Sequence, residues 1–420
     1  MSVPRCTRPP LRLPMLALLL ATALLVPATG AAAQVNPQAQ GAPDTVLQWF
    51  DETQAALVTA DYPTQVTNMR LWAISWIAAS RAIGPGHGPF ADAALASAVH
   101  DSLAALVPAR APQLTAALAA TLARLPRGSA TSRGVAAGRA AAARILAERA
   151  GDGLDPASVN TPFTPPSDAP GIWRPTPPGF NPAVQAGQGR ARPFLLDRAD
   201  RFRPSPPPSL TSPQYARDFA ETKAFGRLDS TVRTPDQSSV ALLWQPAALA
   251  NWTQMLRQVL AAGVPRSTGD RARLLATFHA VTADAYIAVY EAKYVYLRWR
   301  PVTAIHLAAI DGNPDTRADP TWTSLFPPPD NSEYPSGHNG YTGAAVTVLT
   351  ELLGPQPPRP LTLTAATAPG FTRTYTSWTQ VAEDVLNARV WAGIHFRTSD
   401  RAGLRLGLQV ARFDLARAGW

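Results

Sequence analysis

Residues 161–213 carry 14 of the chain's 43 prolines, among them the run Pro206-Pro207-Pro208. Every proline removes a backbone N–H donor and restricts φ, so this stretch can hold neither a long helix nor a central strand. Extended or polyproline-like chain is what remains. A solvated linker would seldom also carry Trp173, Phe180, Phe194 and Phe202. The segment is therefore read as an ordered strap lying over the elements it connects, not as a free hinge.

On both sides of the strap the pattern is helical. Between Asp44 and Ala150, apolar residues recur at three or four positions: Trp49, Ala56 and Val58, then Leu71, Ile74 and Ile77. Such spacing predicts faces buried between helices. Asp44 and Thr45 offer a helix start, and Gly151-Asp152-Gly153 a stop. Beyond Ser238 the spacing predicts helices near 239–262, 268–297, 338–353, 377–393 and 401–418, and strand-like alternation is hard to find. The fold class is all-α, a helical bundle. The expected organisation is a helical region over 34–160, a Pro-rich connector over 161–237 and a second helical domain over 238–420.

The first 33 residues have the layout of a secretory signal peptide. Arg5, Arg8 and Arg12 precede an apolar run over 15–26, and small residues end at Ala31-Ala32-Ala33 before Gln34. The run is shorter than the roughly 20 residues of a spanning helix, so export to the periplasm or the extracellular space is expected, with no stable membrane insertion. Cys6, the one cysteine, falls inside this segment, which leaves no disulfide to form. Of the formal charge of +9, three belong to Arg5, Arg8 and Arg12, and the remaining arginines are scattered, which argues against nucleic acid as a partner. Lysine occurs only twice, at 223 and 293. Where arginine is the usual cation, a lysine is a candidate for chemistry of its own.

Three motifs stand out. Lys293 and Arg300-Pro301 are seven residues apart, close to two helical turns, which would put both cations on one helix face about 10 Å apart. Pro301 disfavours helical geometry at Arg300 and sets it at the helix exit; Arg298, on another face, reads as a surface charge. Glu333-Tyr334-Pro335-Ser336-Gly337-His338-Asn339-Gly340 leads into an apolar helix. At its start the free backbone N–H groups and the Ser336 hydroxyl form an anion site that a ligand can approach closely at Gly337, with His338 in the first turn. Arg389 and His395 are six residues apart, roughly 120° on a helix, so Gly393 must end or bend that helix to turn His395 inward. Each motif alone also fits solvated charges or an ordinary cap. Together they hold three cations, a hydroxyl, backbone donors and two imidazoles, the inventory for binding a multiply charged oxyanion and acting on its two axial positions. His87, His100, His279 and His306 lack such surroundings and read as structural or exposed.

At these residues the sequence resembles the superfamily that unites vanadium-dependent haloperoxidases with type 2 phosphatidic acid phosphatases. Lys-x6-Arg-Pro, Pro-Ser-Gly-His and Arg-x5-His occur here in that order. The region from Val46 through the run Trp173 to Pro178, and on to Ala292-Lys293-Tyr294, is similar to soluble bacterial members of the haloperoxidase branch. The resemblance implies a helical bundle of that type, in which Lys293, Arg300 and Arg389, helped by Ser336 and the Gly337 amide, neutralise the oxyanion. It implies His395 as the axial partner, ligand to vanadium in a peroxidase or nucleophile forming a phosphohistidine in a phosphatase. His338 is implied as the acid–base group opposite. Two departures stand against the pattern: Ala388 where the family often has Ser, and Ser399 where phosphatases carry the Asp that orients the nucleophile. Asp400, one position later, could take that orienting place or cap the last helix.

The resemblance therefore implies either a vanadate-dependent peroxidase, oxidising halide or an organic substrate with hydrogen peroxide, or a secreted acid phosphatase acting on phosphate esters without vanadate. A non-catalytic oxyanion binder would not need a histidine on each axial side. Trp244, Trp252, Trp299 and Trp391 are candidates for the pocket mouth, and the oligomeric state stays open.

Overall fold

The computed structural model describes residues Asp44–Trp420, which form one compact unit. The signal-peptide segment and Cys6 lie outside the described residues. The helices, in chain order, are α1 (Thr45–Ala60), α2 (Gln65–Ile83), α3 (Gly88–Leu106), α4 (Ala111–Arg124), α5 (Ser129–Glu148) and the single turn α6 (Pro156–Val159). After the strap come α7 (Pro213–Phe225), α8 (Pro235–Leu243), α9 (Ala248–Ala261), α10 (Thr268–Tyr296), the short α11 (Pro301–His306), α12 (Gly337–Leu353), α13 (Trp378–Trp391) and α14 (Arg397–Leu415). One small antiparallel ladder, β1 (Leu361–Leu363) with β2 (Arg373–Tyr375), interrupts an otherwise all-α bundle.

Asp44 starts α1 by accepting from the Val46 and Leu47 N–H groups at 2.9 and 3.1 Å, a carboxylate satisfying two donors that the helix leaves unpaired. Trp49 and Ala56 face the core, whereas Val58, expected on the same face, is 73% exposed. Two residues on from Ala56 is about 200° around the helix, so it points outward. The helix expected over 239–262 is two helices: Pro246, with Trp244 and Gln245, breaks it between α8 and α9.

The 29-residue α10 is the axis of the bundle. It is buried nearly all round between α2, α12 and α14, the pattern of a core helix instead of an amphipathic surface one. At one end of it, α14 crosses α12 at very short range. A Cβ on Gly403 would lie 2.3 Å from the Ser336 carbonyl oxygen, so glycine is required for the two helix starts to meet, and the Ser336 N–H reaches the Ser399 oxygen at 3.2 Å.

Residues 161–212 contain no α-helix, only the 3₁₀ turn Gln188–Arg190. The last part of the expected connector departs from that reading, because α7 and the start of α8 fall within it. Each has a proline at its first turn after a Ser212 or Thr234 cap, where proline favours a helix. Trp173 is buried and Phe194 and Phe202 pack on the core, but Phe180 is 64% exposed. The strap is tied to α10 by Asp284, whose carboxylate accepts from the Phe194, Leu195 and Leu196 N–H groups at 2.6, 2.6 and 2.8 Å.

Asp414 on α14 is fully buried beside Asp284, and its oxygens find no donor among the described residues. Burial first, then the Asp284 charge, pushes the Asp414 carboxyl up to about 10. It is therefore protonated at neutral pH and supplies the donor toward Asp284. An unfolded aspartate titrates near ~3.9, so the folded chain holds an extra proton from about pH 4 up to pH 10, and stability falls as pH rises through that window. Asp414→Asn keeps a donor and removes the titration. It is expected to raise the thermal midpoint at pH 8 and to lose that advantage at pH 4; calorimetry giving the same shift at both pH values would contradict the assignment.

Candidate active site

Successive turns of α10 carry Tyr286, Tyr290 and Lys293 down one face. The helix stops at Tyr296, where Leu297 adopts a left-handed φ of +47 and its N–H bonds the Lys293 oxygen at 2.9 Å. Lys293 and Arg300 thus do not share a helix face. Arg300 lies beyond the turn in extended backbone, as Pro301 demands, at the start of α11. Arg298 is not a surface charge: it is 8% exposed, bonds the Pro208 oxygen at 3.0 Å and lies 5.0 Å over the Tyr215 ring. The strap and α7 cover it, which periodicity within one helix could not reveal.

The turn before α12 closes over these cations. Lys293 Nζ donates to the Ser332 and Glu333 carbonyls at 2.5 and 3.1 Å. Arg300 donates to the Asn331 carbonyl and side-chain oxygens at 2.8 and 2.9 Å, and to the Ile394 oxygen at 2.9 Å. Ser336 is the N-cap of α12, yet its hydroxyl does not cap the first turn, so the backbone N–H groups around Gly337 stay turned outward to an anion. Half-buried His338 donates or accepts through Nε2 with the Pro246 oxygen at 2.9 Å. A carbonyl only accepts, so Nε2 carries the proton and Nδ1 is left toward the cleft.

α13 ends at Trp391, and Gly393 takes a φ of +76 with no room for a side chain: a Cβ would lie 2.4 Å from the Gly226 oxygen. That turn sends His395 inward, where it is 3% exposed. Its Nδ1 lies 3.0 Å from Glu333 Oε1, which also accepts the Phe396 N–H at 2.9 Å. Its Nε2 lies 3.2 Å from the Arg300 guanidinium. Burial, then Arg300, Lys293 and Arg389, hold His395 well below the usual histidine range. The contact with Glu333 is thus a hydrogen bond from a neutral ring, with the proton on Nδ1 and the lone pair on Nε2.

Glu333 is the carboxylate that orients His395, and the sequence offered it only as an unassigned member of the motif. The resemblance places the orienting acid downstream of the histidine, at position 399, where this chain has Ser399 followed by Asp400. Asp400 takes neither place expected for it. Phe396, not Asp400, is the N-cap of α14, and Asp400 Oδ1 accepts from Asn339 Nδ2 at 2.8 Å. Burial pushes the Asp400 carboxyl well up, and its bond to Asn339 braces the Ser336–Asn339 turn. Glu333→Ala is expected to lower oxyanion affinity about 10–100-fold, as loss of an outer partner of a ligating histidine does. Glu333→Gln, which keeps an acceptor, should lose less; equilibrium dialysis with orthovanadate compares them.

Arg389 donates to the Trp244 oxygen at 2.5 Å, while its Nε finds no acceptor among the described residues. Lys293, Arg300 and Arg389 are each 1% exposed, and among the described residues every acceptor bonding them is neutral, a carbonyl, the Asn331 amide or the His395 ring. Burial is the main cause that lowers all three, Arg300 and Arg389 to about 10 and Lys293 well below its ordinary value. Three buried cations without an ion pair are costly unless a charged partner joins them. A phosphate-shaped oxyanion fits the donor set: the orphaned Arg389 Nε, the free N–H groups of α12 and the His395 lone pair. Gly337 keeps the floor open, since a Cβ there would meet the Tyr286 ring at 3.4 Å.

The cleft lined by Lys293, Arg300, Gly337, His338, Arg389 and His395 has a volume of about 350 Å³, and Gln185, Tyr286, Tyr290 and Phe326 complete its wall among others. Trp244, Trp252 and Trp299 are fully buried and lie in the core, and Trp391 does not line the cleft, so none of the four tryptophans forms its mouth. Among the other histidines, His279 is buried against Trp72, His306 bonds the Trp322 oxygen at 2.7 Å, and His87 is exposed. No helix among the described residues is long and apolar enough to cross a membrane.

Residues 273–418, from α10 to the end of α14, match the model of the VCPO second helical-bundle domain. No curated protein sequence matches the chain. Among solved structures, a bacterial vanadium-dependent iodoperoxidase is 21% identical with a TM-score of 0.73, covering 89% of this chain and 95% of that one. The apo form of a bacterial vanadium-dependent chloroperoxidase is 19% identical with a TM-score of 0.67, covering 85% and 94%. The holo form of a bacterial vanadium-dependent chloroperoxidase is 17% identical with a TM-score of 0.66, covering 86% and 98%. The chain therefore has a vanadium-haloperoxidase-like helical-bundle fold.

Proposed function

We propose that the protein is a vanadate-dependent peroxidase that oxidises halide or an organic substrate with hydrogen peroxide. The observation that carries this reading is the set of three buried cations without a carboxylate partner among the described residues, around a neutral histidine whose Nε2 faces them as an acceptor, 3.2 Å from Arg300. Lys293, Arg300 and Arg389, with Ser336 and the Gly337 N–H, would hold the oxygens of vanadate, and His395 Nε2 would be its protein ligand. Bound vanadate would supply a Lewis-acid centre that activates peroxide at an unchanged oxidation state. Glu333 keeps the His395 proton on Nδ1, so the ring binds through the other nitrogen. His338 Nδ1 faces the cleft and would move the proton of the bound oxidant or product. The similarity to an iodoperoxidase and a chloroperoxidase, both vanadium-dependent, supports the same direction.

A secreted acid phosphatase, working through His395 as nucleophile, is the second reading. Glu333 favours it specifically, because it supplies the orienting carboxylate that the position of Asp400 does not. Export to the periplasm or the extracellular space, from the layout of residues 1–33, is part of both. Purified protein is to be assayed with and without orthovanadate for peroxide-driven bromide oxidation and for aryl phosphate hydrolysis. Vanadate-dependent bromide oxidation is the expected result. Hydrolysis that vanadate inhibits would replace the peroxidase by the phosphatase, and neither activity would overturn both.

A further inference from the structure

The strap enters the cleft at one unusual residue. Gln185 sits in left-handed backbone, with φ +64, although it is neither glycine nor asparagine. A residue with a long side chain is strained there. Its surroundings hold it in place. The Gln185 N–H bonds the Asn160 side-chain oxygen at 3.1 Å, Val184 N–H bonds the Asp330 oxygen at 2.8 Å, and the Tyr294 hydroxyl donates to the Val184 carbonyl. Three residues on, Gln188 Nε2 bonds the Tyr286 carbonyl at 2.9 Å, which fixes the strap to the helix that also presents Lys293.

The side chain of this residue makes no bond to the rest of the described chain. Gln185 is 9% exposed and lines the cleft, and its side-chain amide makes no hydrogen bond with the described residues; the buried Oε1 is left without a donor. A buried amide without a partner costs about 1–3 kcal/mol. Whichever way the amide is turned, it offers one acceptor and one donor group to the cleft. A hydroxyl group, which both donates and accepts, answers both.

The rest of the cleft narrows the choice of molecule. Its volume of about 350 Å³, which an oxyanion at Lys293, Arg300 and Arg389 would share, is at the small end of the roughly 300–1,000 Å³ seen for ligand pockets. Tyr286, Tyr290 and Phe326 offer ring faces and edges, and no carboxylate residue lines the wall. These are surroundings for one aromatic ring. We infer, on the peroxidase reading of the same cleft, that Gln185 is a specificity-determining residue which binds the hydroxyl of a small, uncharged phenol-type substrate. The strap thereby forms the substrate-selecting wall of the site.

The test compares phenol with anisole, its methyl ether, which can accept but not donate. Binding to the full chain is measured by calorimetry or ligand-observed NMR, in the presence of orthovanadate and without peroxide. Wild type is expected to bind phenol in the millimolar range or tighter, and to bind it at least about tenfold better than anisole. Gln185→Leu should reduce that ratio to near one with little change for anisole. Gln185→Asn, better suited to left-handed backbone, should keep a preference for phenol and gives a second reading if the leucine variant does not fold. Equal affinity of wild type for the two compounds, no measurable phenol binding, or a preference that survives Gln185→Leu would each overturn the assignment. Phenol selectivity through Gln185 in a protein without peroxide-dependent turnover would instead overturn the peroxidase reading and leave the binding site standing.

Discussion

His395→Ala is expected to lose both vanadate retention and turnover, the latter by at least about 10³-fold, because a ligating imidazole cannot be replaced by water at the same affinity. His395 Nε2 is a neutral lone-pair atom among cations, and it carries that lone pair because Glu333 holds the proton on the far nitrogen. His338→Ala should behave differently. That imidazole is anchored through the Pro246 oxygen and reaches the cleft with its other nitrogen, so its loss should leave vanadate affinity within about tenfold and remove about 10²–10⁴ in rate, the range for a general acid–base group. Equilibrium dialysis and steady-state rates on both variants separate the two roles. Full turnover in the His338 variant, or unchanged vanadate binding in the His395 variant, would contradict the assignments.

Arg389→Met is expected to abolish the stabilisation that an oxyanion confers. Vanadate or phosphate binding only the folded chain at a hundred times its dissociation constant stabilises by about 2.7 kcal/mol, a rise of a few degrees in thermal midpoint for a chain of this size. Arg389 has one internal acceptor and an orphaned Nε, so more of its bonding capacity is free for a ligand than that of Arg300, which makes three bonds to neutral oxygens. Methionine fills similar space and removes a buried charge, so the unliganded midpoint should move by only a few degrees. The ligand-induced shift should disappear as affinity falls about 100-fold or more, the loss of about two charge-assisted hydrogen bonds. Arg389→Lys should also bind weakly, since a point charge cannot reproduce a two-pronged contact. Scanning calorimetry with and without orthovanadate checks this; a wild-type shift that persists in the methionine variant would remove Arg389 from the site.

Much of the candidate site was legible as residues and little of it as geometry. Lys293, Arg300, Ser336, Gly337, His338, Arg389 and His395 stand out by type and spacing, and the fold brings all of them except Ser336 to the wall of one cleft; Ser336 is fully buried, its hydroxyl accepting from Asn339 Nδ2 at 3.3 Å. Glu333 was in view but had no role, because a carboxylate that reaches a histidine 62 residues away leaves no periodic trace. Arg298 and Asp400 were misplaced for the same reason. The strap covers one and Asn339 holds the other, and neither contact is local in the chain.

The amino-acid sequence by itself determined the class of fold, through helical apolar spacing on either side of a proline-rich segment that can only be extended. It also determined which side chains could serve an oxyanion, since charge and hydrogen-bonding capacity belong to the residue. Only the tertiary structure decided that three cations are buried without ion pairs, that Glu333 sets the proton position on His395, and that the strap presents Gln185 to the cleft. Those facts depend on burial and on contacts across long stretches of chain, and both arise only when the helices pack.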